Sequence, residues 1–420
     1  MNSLINFKNL KLHKSVKYQF YIFSFILIAT LIYSFFYAIP SHSGGAIGIG
    51  SPILQIGDRS FYIDKYLDLG YPKEVNGSFL YPFILKLITR FLILFEFDYT
   101  SRLWNFIVIS ISSLLSLLSL LLIDRIAFGV FGYRVAVIAN WLFIFCPYTI
   151  FYSINGSLTM YILFFTTLTT FIVIKSSIYI NKNQEGISPI NTFAYLSIAL
   201  ILLSSLRPTG AIFSLVLMSF LIINIFSRKD KNLYNKFRNK FIYLIISFVI
   251  FYSIFQIFLT YKYLLFSLNS FTNENGQFFG VDRNLIKERL NIKNGEIINS
   301  LKLNIYWLVW KITEFVSGMS DIRDSHNGIN GSPLLPFILR TFTGIFIIYP
   351  INLFAFFGLI LNWGRIFNSG LIWIFFSLII CISPSLLGVA FTRYIYMFYT
   401  PIIIISASCI EKLIPYKEDS

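Results

Sequence analysis

The feature that most constrains this chain is a succession of apolar runs, each long enough to lie across much or all of a hydrocarbon core of about 30 Å as a helix, with short charged segments between them. Inside hydrocarbon a backbone must satisfy its own N–H and C=O groups, which a helix does within one segment. Composition agrees. With 56% hydrophobic and 13% charged residues and a mean hydropathy of +0.71, the chain lies outside the range of soluble globular domains. A net charge of +15 is of the sign a nucleic-acid partner requires, but the basic residues gather in the short segments between apolar runs, where membrane topology places them. A nucleic-acid partner is therefore set aside.

Charge asymmetry orients the runs. The first seventeen residues carry Lys8, Lys11, Lys14 and Lys17 with no acid, so run 18–38 is expected to leave a cytoplasmic N-terminus. It exceeds a signal-peptide core and lacks a clear small-x-small cleavage site, so a retained first span is expected. Residues 40–103 hold six acidic and six basic residues, a neutral balance that suits an outer loop. Within that loop, 79–95 is apolar but interrupted by Lys86 and Arg90 at helical spacing, which predicts an interfacial helix shaping a lipid-side entrance. Runs 104–123, 134–148, 159–174, 191–206 and 211–226 follow. An inner turn is expected at Asp124, Arg125 and Arg134, and an outer bend at Arg207-Pro208-Thr209-Gly210. Segment 227–240, six basic residues against Asp230, is expected to be cytoplasmic.

Run 241–265 then leads to a second neutral outer loop, 266–335, with seven basic and seven acidic residues, followed by runs 336–363, 371–390 and 394–410 and an inner tail, 411–420. The expected architecture is an all-α integral membrane protein of about ten transmembrane helices, with both termini cytoplasmic and two large extracytoplasmic loops. It divides into an N-terminal module, 18–226, and a C-terminal module, 241–410, joined by 227–240.

Chemistry is expected where acids gather beside the bilayer. Asp58, in Gly57-Asp58-Arg59-Ser60-Phe61-Tyr62, can accept a proton from an attacking hydroxyl. It would also cap a helix starting at Arg59, and the two roles are compatible, since a cap fixes the carboxylate. Asp64 and Asp68 read as the solvated face of that helix. Arg207 and Arg393, each beside a bend at the outer end of a run, suit a lipid phosphate, against the alternative of snorkelling to the interface. Lys86 and Arg90 could add to that site. In 266–335 the densest polar cluster, Ser320 to Asn327, offers Asp321 and His326 to a substrate, or is simply a solvated loop. Cys146, Cys381 and Cys409 read as small core residues, and His13, His42 and His326 are too scattered for a metal site. No metal ligands are assigned and no cofactor is expected, although a divalent metal is not excluded. Asn76-Gly77-Ser78, Asn155-Gly156-Ser157 and Asn330-Gly331-Ser332 match the glycosylation sequon in expected outer segments.

The order of short motifs resembles the GT-C glycosyltransferases, in particular the dolichyl-phosphate-mannose-protein mannosyltransferase-like and aminoarabinose-transferase-like members. The residues that carry the resemblance are Gly57-Asp58 followed by Tyr62, Leu80-Tyr81-Pro82, Phe131-Gly132-Tyr133-Arg134, Leu206-Arg207-Pro208-Thr209-Gly210 and Arg393-Tyr394. The resemblance is densest over residues 20–220. The chain departs from it at Leu158-Thr159-Met160, where members often carry an acidic residue, and at Arg59, which replaces the second acid of an Asp-Glu pair. The resemblance implies a polyprenyl-phosphate-linked sugar as donor, a glycan, lipid or protein acceptor, and inverting displacement. Asp58 would act as base, Arg207 and Arg393 at the donor phosphate, and Tyr62, Lys86, Arg90, Asp321 and His326 as possible substrate contacts. The sequence shows no phosphate-cradling glycine loop, in keeping with a lipid-linked donor. The rival readings are a polymerase or ligase using a lipid-diphosphate donor, and a transporter or flippase. A transporter is expected to interrupt spans at matching places in two halves and to bury charge at mid-bilayer, neither of which the sequence displays.

Overall fold

The computed structural model describes residues 14–37, 80–97, 102–154, 156, 158–182, 189–206, 210, 213–214, 216–219, 277–278, 281–282, 344–387, 396 and 399–414. Across these the protein is nearly all helical. The helices are α1 (Lys14–Tyr37), α2 (Leu80–Ile93), α3 (Arg102–Phe131), α4 (Tyr133–Phe145), α5 (Pro147–Ile154), α6 (Leu158–Lys182), α7 (Pro189–Leu206), α8 (Tyr349–Leu361), α9 (Trp363–Ser369), α10 (Leu371–Leu387) and α11 (Tyr399–Leu413). A π-helical turn, Gly344–Ile348, leads into α8. The strands among the described residues are β1 (Gln277–Phe278) and β2 (Val281–Asp282), which pair antiparallel.

The helices have two kinds of apolar face. In α1, Val16, Phe23 and Leu27 are buried in the bundle, while Tyr18, Tyr21, Phe25, Ile28 and Ile32 form an exposed stripe at helical spacing. An apolar stripe open along a whole helix is what a bilayer, rather than water, solvates. Among the described residues, three helical segments are long and apolar enough to cross a membrane: Ser15–Ile32, Phe106–Phe131 and Leu158–Lys175. Two bent pairs, α4–α5 at 67° and α8–α9 at 86°, raise the number to five if each is one span. Segments 1–13, 227–240, 241–265 and 415–420 lie outside the described residues, as does most of 40–79 and 266–343.

Several local expectations are revised. Run 104–123 does not end at Asp124: α3 continues through Asp124 and Arg125 to Phe131, because Asp124 finds a partner inside the bundle and need not leave it. The turn narrows to Gly132, whose φ of 105° is available at low cost to a residue without a Cβ. Where a simple turn was expected after run 134–148, α5 forms instead. Proline at its first position has φ already set for a helix and no N–H to leave unpaired. Run 336–363 breaks at Asn362, whose Nδ2 donates to Ser408 Oγ at 3.0 Å, and α9 turns away.

Residues 207–209 of the expected outer bend lie outside the described residues, but Ser214 beyond it packs on α7: its Oγ donates to the Leu200 carbonyl at 3.3 Å and lies 3.2 Å from Ser204 Oγ. Farther on, α8 packs along α11 so closely that a Cβ on Gly358 would meet the Ile405 carbonyl oxygen, whereas a Cβ on Gly364 would meet nothing. Small residues of this kind let membrane helices bring their backbones together. Gly358→Ala is therefore expected to destabilise the protein by about 1–3 kcal/mol, seen as a lower melting temperature in detergent. Gly364→Ala is expected to leave the melting temperature unchanged or raise it.

Candidate functional site

Of the residues singled out from the sequence, Lys86 and Arg90 are described, both on α2, Lys86 half-buried and Arg90 exposed. Asp58, Tyr62, Arg207, Asp321, His326 and Arg393 lie outside the described residues. What the structure does bring together is a set of elements that border them. At the end of the bundle where α3 begins, Tyr81 on α2 donates its hydroxyl to the Gly156 carbonyl at 2.5 Å and packs edge-on against Tyr161 of α6, their ring centroids 5.2 Å apart. Two turns along α2, Thr89 Oγ1 accepts the Trp104 indole N–H at 2.9 Å. The C-terminal end of α7, which precedes residue 207, is at this same end. The short 183–188 connection makes α6 and α7 antiparallel, and α2 touches α7 as well.

The α4–α5 bend closes the site from the other side. Ser113 on α3 donates to the Ser153 carbonyl at 3.1 Å, fixing α5 against α3. Tyr148 and Tyr152, one turn apart on α5, stack at 6.1 Å, and Tyr152 stacks on Tyr396 at 5.1 Å. Tyr396 donates its hydroxyl to Thr149 Oγ1 at 2.6 Å, and Tyr399 packs 5.8 Å from Tyr396. Next to Tyr399 on α11, the Thr400 hydroxyl meets that of Thr167 on α6 at 2.5 Å. Residue 396 is three positions from residue 393, which itself lies outside the described residues.

The resulting cluster is rich in tyrosine and threonine hydroxyls. Among the described residues, the buried Tyr161, Tyr399 and Thr159 hydroxyls have no hydrogen-bond partner. An unpaired buried hydroxyl costs about 1–3 kcal/mol, which a polar ligand or water would offset. The described part of the cluster contains no carboxylate or imidazole. It can therefore bind and orient a polyhydroxylated group, while a base for proton transfer must come from elsewhere in the chain.

A second polar centre lies near the opposite end of α3. Asn140 Nδ2 donates to Asp124 Oδ1 at 3.2 Å and to Gln19 Oε1 at 3.1 Å, and Gln19 Nε2 donates to the Val137 carbonyl at 2.9 Å. Arg125 Nε lies 3.9 Å from Asp124 Oδ2. Ser15 and Tyr133 share a hydrogen bond nearby. The centre joins α1, α3 and α4, all three polar side chains of its core being buried.

The sequence reading missed both groups. Tyr148 and Tyr152 at one-turn spacing after Pro147 were a usable signal for the first, and a lone Asn140 inside an apolar run for the second. Neither reveals its partner, since Tyr396 is more than two hundred residues from α5 and Gln19 lies 121 residues from Asn140. Asn140→Leu removes the shared donor and strands a buried carboxylate. It is expected to cost about 1–3 kcal/mol or more, measured by thermal unfolding in detergent. The double variant Asp124→Leu/Asn140→Leu is expected to recover part of that loss, because it removes the buried carboxylate along with its donor and leaves only the part-exposed Arg125, which can turn toward water.

Comparison of the chain with protein-family models, with curated proteins and with solved structures returned no match, so these interactions stand on their own as the basis for a functional reading.

Proposed function

We propose that this chain is a polytopic glycosyltransferase that moves a sugar from a polyprenyl-phosphate donor to an acceptor hydroxyl at the extracytoplasmic face of its membrane, the plasma membrane if the host is bacterial. The acceptor oxygen attacks the anomeric carbon as the bond from that carbon to the phosphate oxygen breaks, inverting the configuration. The phosphate leaves with the electron pair, and the acceptor's proton passes to Asp58. Arg207 and Arg393 neutralise the departing phosphate, Lys86 and Arg90 add to that field, and Tyr62, Asp321 and His326 contact the substrates. In this reading the chain makes about ten spans with both termini cytoplasmic, and residues 40–103 and 266–335 are the outer loops.

The observation that carries the reading is convergence. Elements that border the proposed phosphate ligands are tied to the segment 147–161: α2, which carries Lys86 and Arg90 and also touches α7, donates from Tyr81 to Gly156, and Tyr396, just after residue 393, donates to Thr149. Segments far apart in sequence gather there, as a site built from several loops requires.

Transport is the second reading, and one observation favours it. The thirteen residues of α4 rise about 20 Å, less than a hydrocarbon core of about 30 Å, so the α4–α5 bend falls inside the bilayer, as in the broken helices of transporters. Buried Asp124 points the same way. Against it, the α8–α9 break comes at the end of a nearly full-length span, at a different depth, so the two breaks are not matched interruptions around one site.

The two readings separate in a reconstituted system supplied with a polyprenyl-phosphate sugar and a candidate acceptor. Glycosylated product is expected from the wild type, and Asp58→Asn is expected to lower its rate at least about 100-fold with an unchanged melting temperature. Full activity in that variant removes the assignment. Donor crossing the bilayer without product favours transport.

A further inference from the structure

The α2 helix has an unusual distribution of side chains for a helix packed on a bundle. At 3.6 residues per turn, Tyr81, Leu85, Thr89 and Leu92 fall on one face, and all four are buried against the rest of the protein. Phe83, Leu87 and Phe91 fall on the opposite face and are open, 39%, 51% and 58% exposed, and Leu94 and Phe95 continue the exposed apolar surface past the end of the helix. Lys86 and Arg90, one turn apart, occupy the flank between the two faces. Among the described residues no acid lies within ion-pair distance of either.

The way α2 is held fixes its direction. Tyr81 is tied to Gly156 and Tyr161 at the start of α6, and Thr89 to Trp104 at the start of α3. Those attachment points are eight residues apart, about 12 Å along the axis, close to the spacing of two packed helices. So α2 bridges the beginnings of two spans and runs across the end of the bundle rather than along it. A transverse helix with one face on protein, an open aromatic face opposite and a cationic edge between them has the pattern of a helix lying at the boundary between headgroups and acyl chains.

We propose that α2 is a docking site for an anionic phospholipid of the surrounding leaflet. The lipid phosphate lies between Lys86 and Arg90, and its acyl chains lie over Phe83, Leu87 and Phe91. The choice of occupant follows from charge complementarity. A zwitterionic lipid would satisfy the aromatic face equally well, but only a lipid of net negative charge complements two cations with no described counter-ion. The site depends on the membrane reading of the chain and not on sugar transfer.

Photolabelling of the full-length protein in lipid nanodiscs tests it, with photoactivatable acyl chains carried by phosphatidylglycerol or by phosphatidylcholine and the adduct mapped to residues 80–97. Phosphatidylglycerol is expected to label this segment of the wild type several-fold more strongly than phosphatidylcholine. Lys86→Gln and Arg90→Gln are each expected to lower the preference for phosphatidylglycerol, and the double variant to abolish it, bringing its labelling to the phosphatidylcholine level. Phe91→Ser is expected to reduce labelling by both lipids. Equal labelling of the wild type by the two lipids overturns the proposal, and that comparison needs no variant to fold. Undiminished phosphatidylglycerol labelling in a folded double variant overturns it as well. Millimolar inorganic phosphate is expected to leave labelling unchanged, and competition at that level would mean a site for a soluble anion instead.

Discussion

Hydrocarbon offers no hydrogen-bond partners, so every polar side chain that enters a membrane-spanning bundle must find its partner within the bundle. Much of this structure follows from that constraint. Asp124 can sit inside α3 because Asn140 donates to it, and Asn140 can sit inside α4 because Asp124 and Gln19 both accept from its amide. Many serines and threonines on the apolar helices donate back to a carbonyl one turn earlier, as Thr89, Ser119, Thr167 and Ser204 do. Those local bonds let the helices carry polar residues without loss of helicity. The exceptions among the described residues are spread over α3, α6, α7 and α11, and the unpaired Thr159 and Tyr161 hydroxyls are at the start of α6, where Tyr81 packs.

The α4–α5 bend shows how a short interruption creates a site. Had α4 continued straight past Phe145, its next two turns would have presented Tyr148 and Tyr152 along the direction of the span. Pro147 starts a new helix at 67°, and this turns both rings toward Tyr396, with Ser113 and Thr149 holding the segment in place. A proline-led half-helix thus exchanges one turn of regular backbone for an aromatic and hydroxyl-lined corner within the bundle. Surfaces of this composition suit sugars, which offer C–H faces to aromatic rings and hydroxyls to hydrogen-bonding groups.

The all-helical, membrane-type character of the fold was legible in the sequence, because hydrophobic run length reports directly on the bilayer. Expected run 191–206 is α7 almost to the residue, and 79–95 is helical as anticipated. The sequence reading erred where a polar residue was taken as a stop signal. Asp124 looked like the end of a span because an isolated carboxylate in an apolar run is costly, and nothing local showed that Asn140 would be opposite it. The expected end of run 336–363 falls within two residues of the observed break after Leu361, but nothing local showed that the Asn362 amide would be held by Ser408, 46 positions away, or that α9 would follow. The candidate site was less legible than the fold, since its described residues are tyrosines and threonines that also serve as ordinary core in membrane bundles.

By itself, then, the sequence determined that this protein is nearly all helical, that several of its helices are long and apolar enough to cross a membrane, and that Lys86 and Arg90 share one side of a helix, because run length and 3.6-residue spacing are properties of a single segment. Only the tertiary structure decided that Tyr396 meets Tyr152, that Gln19 completes the Asp124–Asn140 centre, and that α2 lies across the starts of α3 and α6 with its aromatic face open. Those outcomes depend on which helix becomes the neighbour of which. In a medium where apolar faces are nearly interchangeable, that choice is made by close packing and by the few polar groups that must pair, and neither is encoded at any one position in the chain.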